Sequence, residues 1–194
     1  MFKPTPSNFR QRYSLENKFI ILGVANVWTE RKGLLHFFEF AKHLSSDEII
    51  VLVGLTEKQK ANLPGGIIGI TRTNSVEELA EIYTAADVFV NLTLEDTFPT
   101  TNLEALACGT PVITFNTGGS PECIGDRAGC VVRKGDLNAV YTELRTVRSV
   151  CRQTFFKACL ERAERLYSKE ERFAVYVDIY YRVVNHFRLQ NAGL

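Results

Sequence analysis

A polar stretch of the sequence, EDTFPTTNLE, lies between two apolar segments. It supplies three carboxylates, from Glu95, Asp96 and Glu104, and between them the hydroxyl groups of Thr100 and Thr101. A carboxylate accepts hydrogen bonds and donates none, which suits a pair of neighbouring sugar hydroxyls. Either threonine can cap a helix start, whose free N–H groups suit a phosphate. The stretch therefore has the chemistry of a nucleotide-sugar site, although a single glutamate at a helix start is more often only a partner of the helix dipole.

A second polar stretch, Asn26–Gly33 with the sequence NVWTERKG, places two cations just ahead of a helical pattern. Arg31 and Lys32 would stand beside a helix start that already favours an anion, so a diphosphate is a candidate ligand. A solvated basic turn explains the same residues when the stretch is taken alone. The pattern is neither a GxxxxGKS/T phosphate loop nor a GxGxxG dinucleotide fingerprint.

Short apolar runs alternate with helix-periodic segments along most of the chain. The runs that predict strands are Phe19–Ala25, Glu48–Val53, Ile67–Ile70, Val88–Leu92, Pro111–Phe115 and Gly129–Val132. Helices are predicted over Gly33–Leu44, from a capping pattern at Ser75 to Ala85, over Leu103–Cys108 and after Asp136. Because helices separate strands that lack polar alternation, the predicted fold class is α/β, a Rossmann-like doubly wound parallel sheet with helices on both faces. Ligands bind at the carboxyl ends of such strands, where both polar stretches fall.

The two ends of the chain differ from this middle part. Met1–Asn17 contains two prolines and many polar residues, which predicts a linker rather than a core element. Val140–Asn191 is helix-compatible almost throughout, with aromatic and aliphatic residues at helical spacing. That stripe is either core packed on the sheet or, in part, an exposed surface that packs against another domain.

Composition restricts the class of protein. The 194 residues are 45% hydrophobic and 23% charged, and 23 basic residues balance 22 acidic ones to a net charge of +1. We therefore expect one globular domain whose main partner is neither nucleic acid nor an anionic membrane. The five cysteines form no CxxC pair and the three histidines are scattered, so reduced thiols and no metal site are predicted. The sequence has no apolar run of membrane-spanning length.

Four segments in fixed order resemble a known family. They are ERKG ahead of a helix, AADVFVNLT, EDTFPTTNLEALACGTPVITFNTGGSPE and YSKEERFAVYVDIYYRVV. Together they resemble the C-terminal, donor-binding half of bacterial family 4 retaining glycosyltransferases of the GT-B architecture, and the resemblance covers residues 19–187. It implies a place among the enzymes that build capsular, exopolysaccharide or lipopolysaccharide sugars in cell-surface polysaccharide biosynthesis.

The resemblance also assigns roles to the carboxylates. Glu104 corresponds to the second glutamate of the family's paired motif, which would hold the ribose hydroxyls of the nucleotide. The first carboxylate of the motif would face the transferred sugar. Strict spacing selects Asp96 for this position, whereas the strand end and the EDTFP pattern favour Glu95, which we take as the catalytic candidate together with Lys32.

The remaining implied contacts are with the phosphates and the base. Lys32 would pair with the diphosphate, and Arg31 is the candidate replacement for a family arginine that is absent upstream. Backbone groups would supply the other contacts, from Thr100, Thr101 and Asn102 to the distal phosphate and from Thr71 and Arg72 to the base edge. Pro99 has no N–H to contribute. No metal ion and no cofactor is implied besides the nucleoside diphosphate sugar that serves as donor.

The resemblance further implies that the chain is one half of an enzyme. Residues 1–18 would be a linker from an absent N-terminal domain, 19–168 the nucleotide-sugar-binding Rossmann-like domain, and 169–194 a helix that returns towards the other domain. The intact enzyme would transfer a hexosyl-type sugar, with retention, to a glycan or lipid-linked acceptor. The isolated half is expected to be inactive. A cytoplasmic location is expected, and the missing domain could also supply peripheral attachment to the inner membrane.

Two other functions are compatible with the same residues. One is a noncatalytic nucleotide-binding domain of GT-B fold, which the missing arginine and Pro99 favour and the joint presence of Lys32, Glu95 and Glu104 opposes. The other is a nucleotide-sugar epimerase of related fold, which the ALACGTPVI context opposes. Sugar transfer to an acceptor would distinguish the first function from both.

Overall fold

A computed structural model describes residues 2–125 and 127–191. The strands are β1 (Phe19–Val24), β2 (Glu48–Val53), β3 (Ile67–Ile70), β4 (Val88–Asn91), β5 (Val112–Phe115) and β6 (Gly129–Val132). All neighbouring strands pair in parallel and form one sheet in the order β3-β2-β1-β4-β5-β6. The order reverses between β1 and β4, which makes the carboxyl ends of these two strands the topological switch point of the sheet.

Helices connect the strands and cover both faces of the sheet. They are α1 (Phe9–Arg12), α2 (Leu34–Ala41), α3 (Glu57–Ala61), α4 (Val76–Ala85), α5 (Thr100–Ala107), α6 (Ser120–Ile124), α7 (Leu137–Ser149), α8 (Arg152–Tyr167) and α9 (Lys169–Asn191). Ile20 and Leu22 pack in one core cluster with α4, α5 and α6, whereas Ile21 packs in the opposite cluster with α2 and α7. The doubly wound α/β prediction is therefore confirmed.

Helix capping agrees with the sequence at two positions. The Ser75 hydroxyl accepts a hydrogen bond from the Glu78 amide at 3.1 Å, and the Asp136 carboxylate accepts one from the Ala139 amide at 2.9 Å. Each bond satisfies one N–H that the first turn of a helix leaves without an intrahelical partner. The predicted starts of α4 and α7 are thereby confirmed.

The N-terminal segment differs from its prediction. Phe9 and Leu15 are buried in the core, and the Arg10 guanidinium pairs with the Asp87 carboxylate at 2.6 Å. The sequence predicts residues 1–17 to lie outside the core because prolines and polar residues dominate there, but two large apolar side chains are enough to anchor the segment. Its role as a connection to a preceding domain stays a prediction.

The C-terminal helices divide the predicted aromatic stripe into two parts. Phe155 of α8 packs against the core, whereas Tyr176, Ile179 and Tyr180 of α9 are exposed. The interpretation of the whole stripe as core is therefore wrong for α9, and the alternative of an exposed apolar surface applies there. Residues 192–194, which complete the predicted terminal helix segment, lie outside the described residues.

Candidate functional site

The candidate site is a cavity of about 380 Å³ at the carboxyl ends of β1 and β4. Half of the predicted site residues line it, namely Arg31, Lys32, Asp96, Thr100 and Thr101. Three larger depressions, of about 430, 540 and 590 Å³, contain none of the predicted site residues, and the two largest lie along α8. The cavity at the switch point is therefore the one that combines position and chemistry.

Backbone contacts fix the loop between β1 and α2 against the end of β4. Gly33 has a φ of 80°, and a Cβ at this position would lie 2.2 Å from the Leu92 carbonyl oxygen. The Leu94 amide donates to the Arg31 carbonyl at 2.8 Å, and the Thr93 hydroxyl donates to the same oxygen at 3.3 Å. Only glycine permits this conformation and this approach. The two polar stretches are thus held side by side.

A third loop, between β5 and α6, supports the loop that contains Asp96. Gly118 has a φ of 48°, and a Cβ there would lie 1.7 Å from the Asp96 carbonyl oxygen. The Gly119 amide donates to the Thr97 carbonyl at 2.8 Å. The TGG turn of the sequence, Thr117–Gly119, therefore positions Asp96 indirectly, through the backbone behind it.

Lys32 and Asp96 form an ion pair in the cavity wall. The Lys32 Nζ lies 2.6 Å from the Asp96 Oδ2, with 30% of the lysine side chain and 15% of the aspartate side chain exposed. The pair brings together residues that are 64 positions apart in the chain. A cation and a carboxylate therefore face the same space, and each is available to a ligand that displaces the other.

The start of α5 differs from the prediction that Thr100 or Thr101 caps it. The N-cap residue is Pro99, with a φ of −74° and no side-chain cap, and both threonines lie inside the first turn. Proline at the helix start supplies the backbone angle without requiring a capping hydroxyl. The Asn102 amide donates to the Pro99 carbonyl at 3.1 Å, so it is already engaged. The first turn nevertheless directs its positive end at the cavity.

Glu104 lies one turn further along α5 and is half-buried. The Tyr83 hydroxyl donates to its Oε2 at 3.0 Å. Burial raises the pKa of the Glu104 carboxyl above its ordinary value, and hydrogen bonds from Tyr83 and Thr100 partly counter this shift. Burial also raises the pKa of Tyr83 well above its ordinary value, with the Glu104 charge adding to the effect. The tyrosine therefore remains a donor to the carboxylate.

Four of the predicted site residues lie outside the cavity lining, in addition to Glu104. Glu95 is exposed, although it directly precedes Asp96. The Asn102 side chain is buried, and its Oδ1 accepts a hydrogen bond from the side-chain amide (Nδ2) of Asn91 at 2.8 Å. Thr71 and Arg72 follow β3, which two intervening strands, β2 and β1, separate from β4 in the sheet. The structure thus brings the phosphate-type residues together and leaves the base-edge candidates at a distance.

Three aromatic residues of the cavity wall, Trp28, Phe37 and Phe98, are not among the predicted site residues. Trp28 is buried and its indole N–H donates to the Val53 carbonyl at 2.8 Å, and Phe98 is 37% exposed. Trp28 and Phe98 both lie inside the polar stretches that the prediction used, but an apolar side chain among charged ones gives no signal of its own. Their position flanking the cations was available only from the fold.

Metal-ligand groups and membrane-spanning helices are both lacking among the described residues. In that part of the chain no three His, Cys, Asp or Glu side chains are grouped so that they could hold a metal ion. Within the same residues, no helix combines the length and the hydropathy that crossing a membrane requires.

Comparison with known proteins identifies the family. Residues 18–149, well over half of the chain, match the family model described as Glycosyl transferases group 1. The chain belongs to the group 1 glycosyl transferases. The family recognition that the four sequence segments suggested is thereby confirmed.

Relatives of this group 1 glycosyl transferase chain are longer than the chain itself. It is 29% identical over 130 residues to an alpha-maltose-1-phosphate synthase from Mycolicibacterium smegmatis, a match that spans 60% of this chain and 33% of that protein. Among solved structures, it matches a sucrose-phosphate synthase from Thermosynechococcus elongatus with a TM-score of 0.78 and 23% identity, over 95% of this chain and 50% of the other. The chain thus spans about a third to a half of these two proteins.

One solved structure has nearly the same extent as this chain. It is the C-terminal domain of a glycosyl transferase group 1 family protein from Francisella tularensis, with a TM-score of 0.70 and 21% identity. The match covers 87% of this chain and 96% of that domain. The Rossmann-like sheet with its terminal helices is therefore the same fold that GT-B glycosyltransferases contain.

Proposed function

We propose that this chain is the donor-binding C-terminal half of a glycosyltransferase. The enzyme would transfer a sugar, with retention, from a nucleoside diphosphate sugar to a glycan or lipid-linked acceptor in cell-surface polysaccharide biosynthesis. The observation that supports this best is the arrangement of Lys32 and the start of α5 around one cavity at the switch point, with Glu104 one turn deeper. The family membership supports the reaction class.

The proposed roles follow from position in the cavity. Lys32 and Arg31 would bind the diphosphate, and the Glu104 carboxylate would accept hydrogen bonds from the ribose hydroxyls. Asp96 lines the cavity whereas Glu95 is exposed, which supports Asp96 as the carboxylate that faces the transferred sugar. Thr71 and Arg72 remain the proposed readers of the base edge.

The proposed chemistry is stabilisation of the leaving diphosphate. Negative charge develops on that group as the bond to the sugar breaks, and Lys32, Arg31 and the N–H groups of the first turn of α5 face it. Fixed charges and dipoles of this kind are usually the largest contribution to catalysis. No side chain is assigned as a covalent nucleophile, and the proposal requires no metal ion and no cofactor besides the donor.

The proposed partner is an N-terminal acceptor-binding domain of the same enzyme. The Francisella match to a C-terminal domain and the partial coverage of the longer relatives support this division. The exposed apolar residues of α9 would pack on that domain, since large exposed apolar surfaces commonly mark interfaces. The isolated chain would then bind donor in the cytoplasm or at the inner membrane and would transfer no sugar.

The test is calorimetry of the chain with UDP, GDP, ADP and the matching nucleosides. One diphosphate should bind selectively. Lys32→Ala should lower the affinity for that diphosphate by at least about tenfold and the affinity for its nucleoside by less than about twofold, because the lysine would contact only the phosphates. Lys134→Ala, at an exposed lysine after β6, is the matched control and should change neither. Equal losses for both ligands in Lys32→Ala would contradict the assignment.

A noncatalytic nucleotide-binding domain is the second candidate. Pro99 has no amide hydrogen and the Asn102 amide is engaged with the Pro99 carbonyl, so fewer donors remain for the distal phosphate. Sugar transfer by the intact protein that contains this domain would exclude the candidate. Diphosphate binding without transfer would support it.

A further inference from the structure

Tyr83 and Glu104 form a buried contact between two helices below the cavity. Tyr83 lies near the end of α4 and is fully buried, and its hydroxyl donates to the Glu104 Oε2 at 3.0 Å. Glu104 is half-buried in α5. Burial of a carboxylate is costly unless hydrogen bonds compensate it, so this hydroxyl has an electrostatic purpose.

The Tyr83 ring is fully buried and packs against two other aromatic rings. Its edge contacts are with Phe2, at a centroid distance of 5.9 Å, and with Phe89 of β4, at 5.5 Å. The Tyr83 carbonyl accepts a hydrogen bond from the Thr110 hydroxyl at 2.6 Å. A hydroxyl on a ring that is packed from two sides points in one direction. The Glu104 carboxylate is therefore held by a rigid donor.

The same donor leaves the carboxylate capacity for a ligand. A carboxylate has about four acceptor positions on its two oxygens, and hydrogen bonds from Tyr83 and Thr100 occupy two of them. A diol needs two acceptors in one plane, which a freely rotating glutamate presents only part of the time. Fixing the side chain in advance reduces the entropy that ligand binding would otherwise cost.

We propose that Tyr83 is a positioning residue that holds the Glu104 carboxylate in the orientation that binds the ribose 2′- and 3′-hydroxyls. The inference rests on the proposed function, since it assumes that a nucleoside diphosphate occupies the cavity. It adds that a buried hydroxyl of α4, which touches no ligand itself, determines the preference for ribonucleotides over nucleotides that lack these hydroxyls.

The test compares Tyr83→Phe with Glu104→Gln and with the unaltered chain. Calorimetry measures the affinity for whichever of UDP, GDP and ADP binds, and for its 2′,3′-dideoxy counterpart. Tyr83→Phe should lower the affinity for the ribonucleotide by about fivefold to tenfold and the affinity for the dideoxy nucleotide by less than about twofold. The double variant, Tyr83→Phe with Glu104→Gln, should lose little more affinity for the ribonucleotide than Glu104→Gln alone, because the tyrosine acts through the glutamate.

Tyr141→Phe is the matched control for the loss of a structural hydroxyl. The Tyr141 hydroxyl donates to the Phe40 carbonyl at 2.9 Å on the other face of the sheet. This variant should leave the ratio of the two affinities unchanged. Thermal melting of each variant reports whether it folds.

Three results would overturn the inference. An unchanged affinity for the ribonucleotide in folded Tyr83→Phe would show that the hydroxyl does not position Glu104 for ribose. Equal losses for the ribonucleotide and the dideoxy nucleotide would show a purely structural role. A chain that binds none of the diphosphates would overturn the proposed function together with this inference, whereas the first two results leave the proposed function intact.

Discussion

At the scale of the residue, the fold distinguishes the neighbours Glu95 and Asp96 by position, which the sequence does not. Glu95 and Asp96 are neighbours of similar chemistry, and the strand end favoured Glu95 in the sequence analysis. The backbone support from Gly118 and the 2.6 Å contact with Lys32 place Asp96, not Glu95, in the cavity wall. Which of two adjacent side chains turns inward depends on a loop conformation that the residue types do not specify.

Removing the Asp96 charge should release Lys32 for a diphosphate. The ion pair is partly exposed and therefore weak, so Asp96→Asn should raise the affinity for the bound nucleoside diphosphate by about twofold to fivefold. Glu95→Gln removes a neighbouring exposed charge and is the control. Calorimetry at constant ionic strength measures both variants. A larger gain in affinity in Glu95→Gln than in Asp96→Asn would show that Asp96 is not the carboxylate that holds Lys32.

Nucleotide binding should depend on pH through Glu104. Because burial raises the pKa of this carboxyl, it takes up a proton at a higher pH than an exposed glutamate does. A protonated carboxyl is a poorer acceptor, so nucleoside affinity should fall as the pH falls through the raised pKa. Glu104→Gln should flatten the profile in a calorimetric titration at several pH values. An unchanged profile in this variant would exclude Glu104 as the titrating group.

The same shift affects stability with a defined sign. The folded state binds the Glu104 proton more tightly than the unfolded state, since the pKa is raised on folding. The resulting stabilisation is fully present below the unfolded pKa and is lost as the pH rises through the folded pKa. The ionised carboxylate that the site requires is therefore maintained at a cost to folding.

At the scale of the element, hydrophobic pattern predicts more than local chemistry does. The bounds of β2, β3 and β6 agree with the sequence prediction residue by residue, because uninterrupted apolar runs end at glycine or polar residues. The short helix α3 was missed although Thr56 and Gln59 form a capping box. Its five residues bury no side chain, so no apolar periodicity reveals it.

Gly33 should be the glycine on which the site geometry depends most. Gly33→Ala introduces both a left-handed φ and a Cβ that meets the Leu92 carbonyl, and should lower the free energy of unfolding by more than about 2 kcal/mol. Gly135→Ala is the control, because its φ of 82° is similar but no atom lies within 4 Å of the added Cβ. It should cost about 1 kcal/mol. Urea denaturation measures both variants. Equal losses in the free energy of unfolding for Gly33→Ala and Gly135→Ala would show that the close approach to the end of β4 does not contribute to stability.

At the scale of the whole molecule, the fold of the described residues contains a sheet domain and a helix that packs little against it. Tyr176 is 69% exposed and Tyr180 is 63% exposed on α9. The sequence left open whether this stripe is core or surface, because helical periodicity identifies an apolar face but not what covers it. Under the proposed division, an N-terminal domain of the same enzyme would cover this face.

Truncation after Ser168 should therefore leave the sheet domain intact. We expect the free energy of unfolding to change by less than about 1 kcal/mol, since the α9 side chains that the structure describes, up to residue 187, bury little apolar surface. Binding of the dye ANS should decrease, because exposed apolar residues are removed. Loss of cooperative unfolding in the truncated chain would show that α9 is part of the core.

The switch-point cavity should bind the diphosphate of a nucleotide sugar. Chemical-shift mapping by NMR of the uniformly ¹⁵N-labelled chain during titration with the best-binding nucleoside diphosphate tests it most directly. We expect the largest amide shifts in residues 26–33 and 96–104, with Lys32→Ala abolishing those of the first segment. Shifts concentrated along α8, at the larger depression that Arg127 and Arg162 line, would contradict the claim.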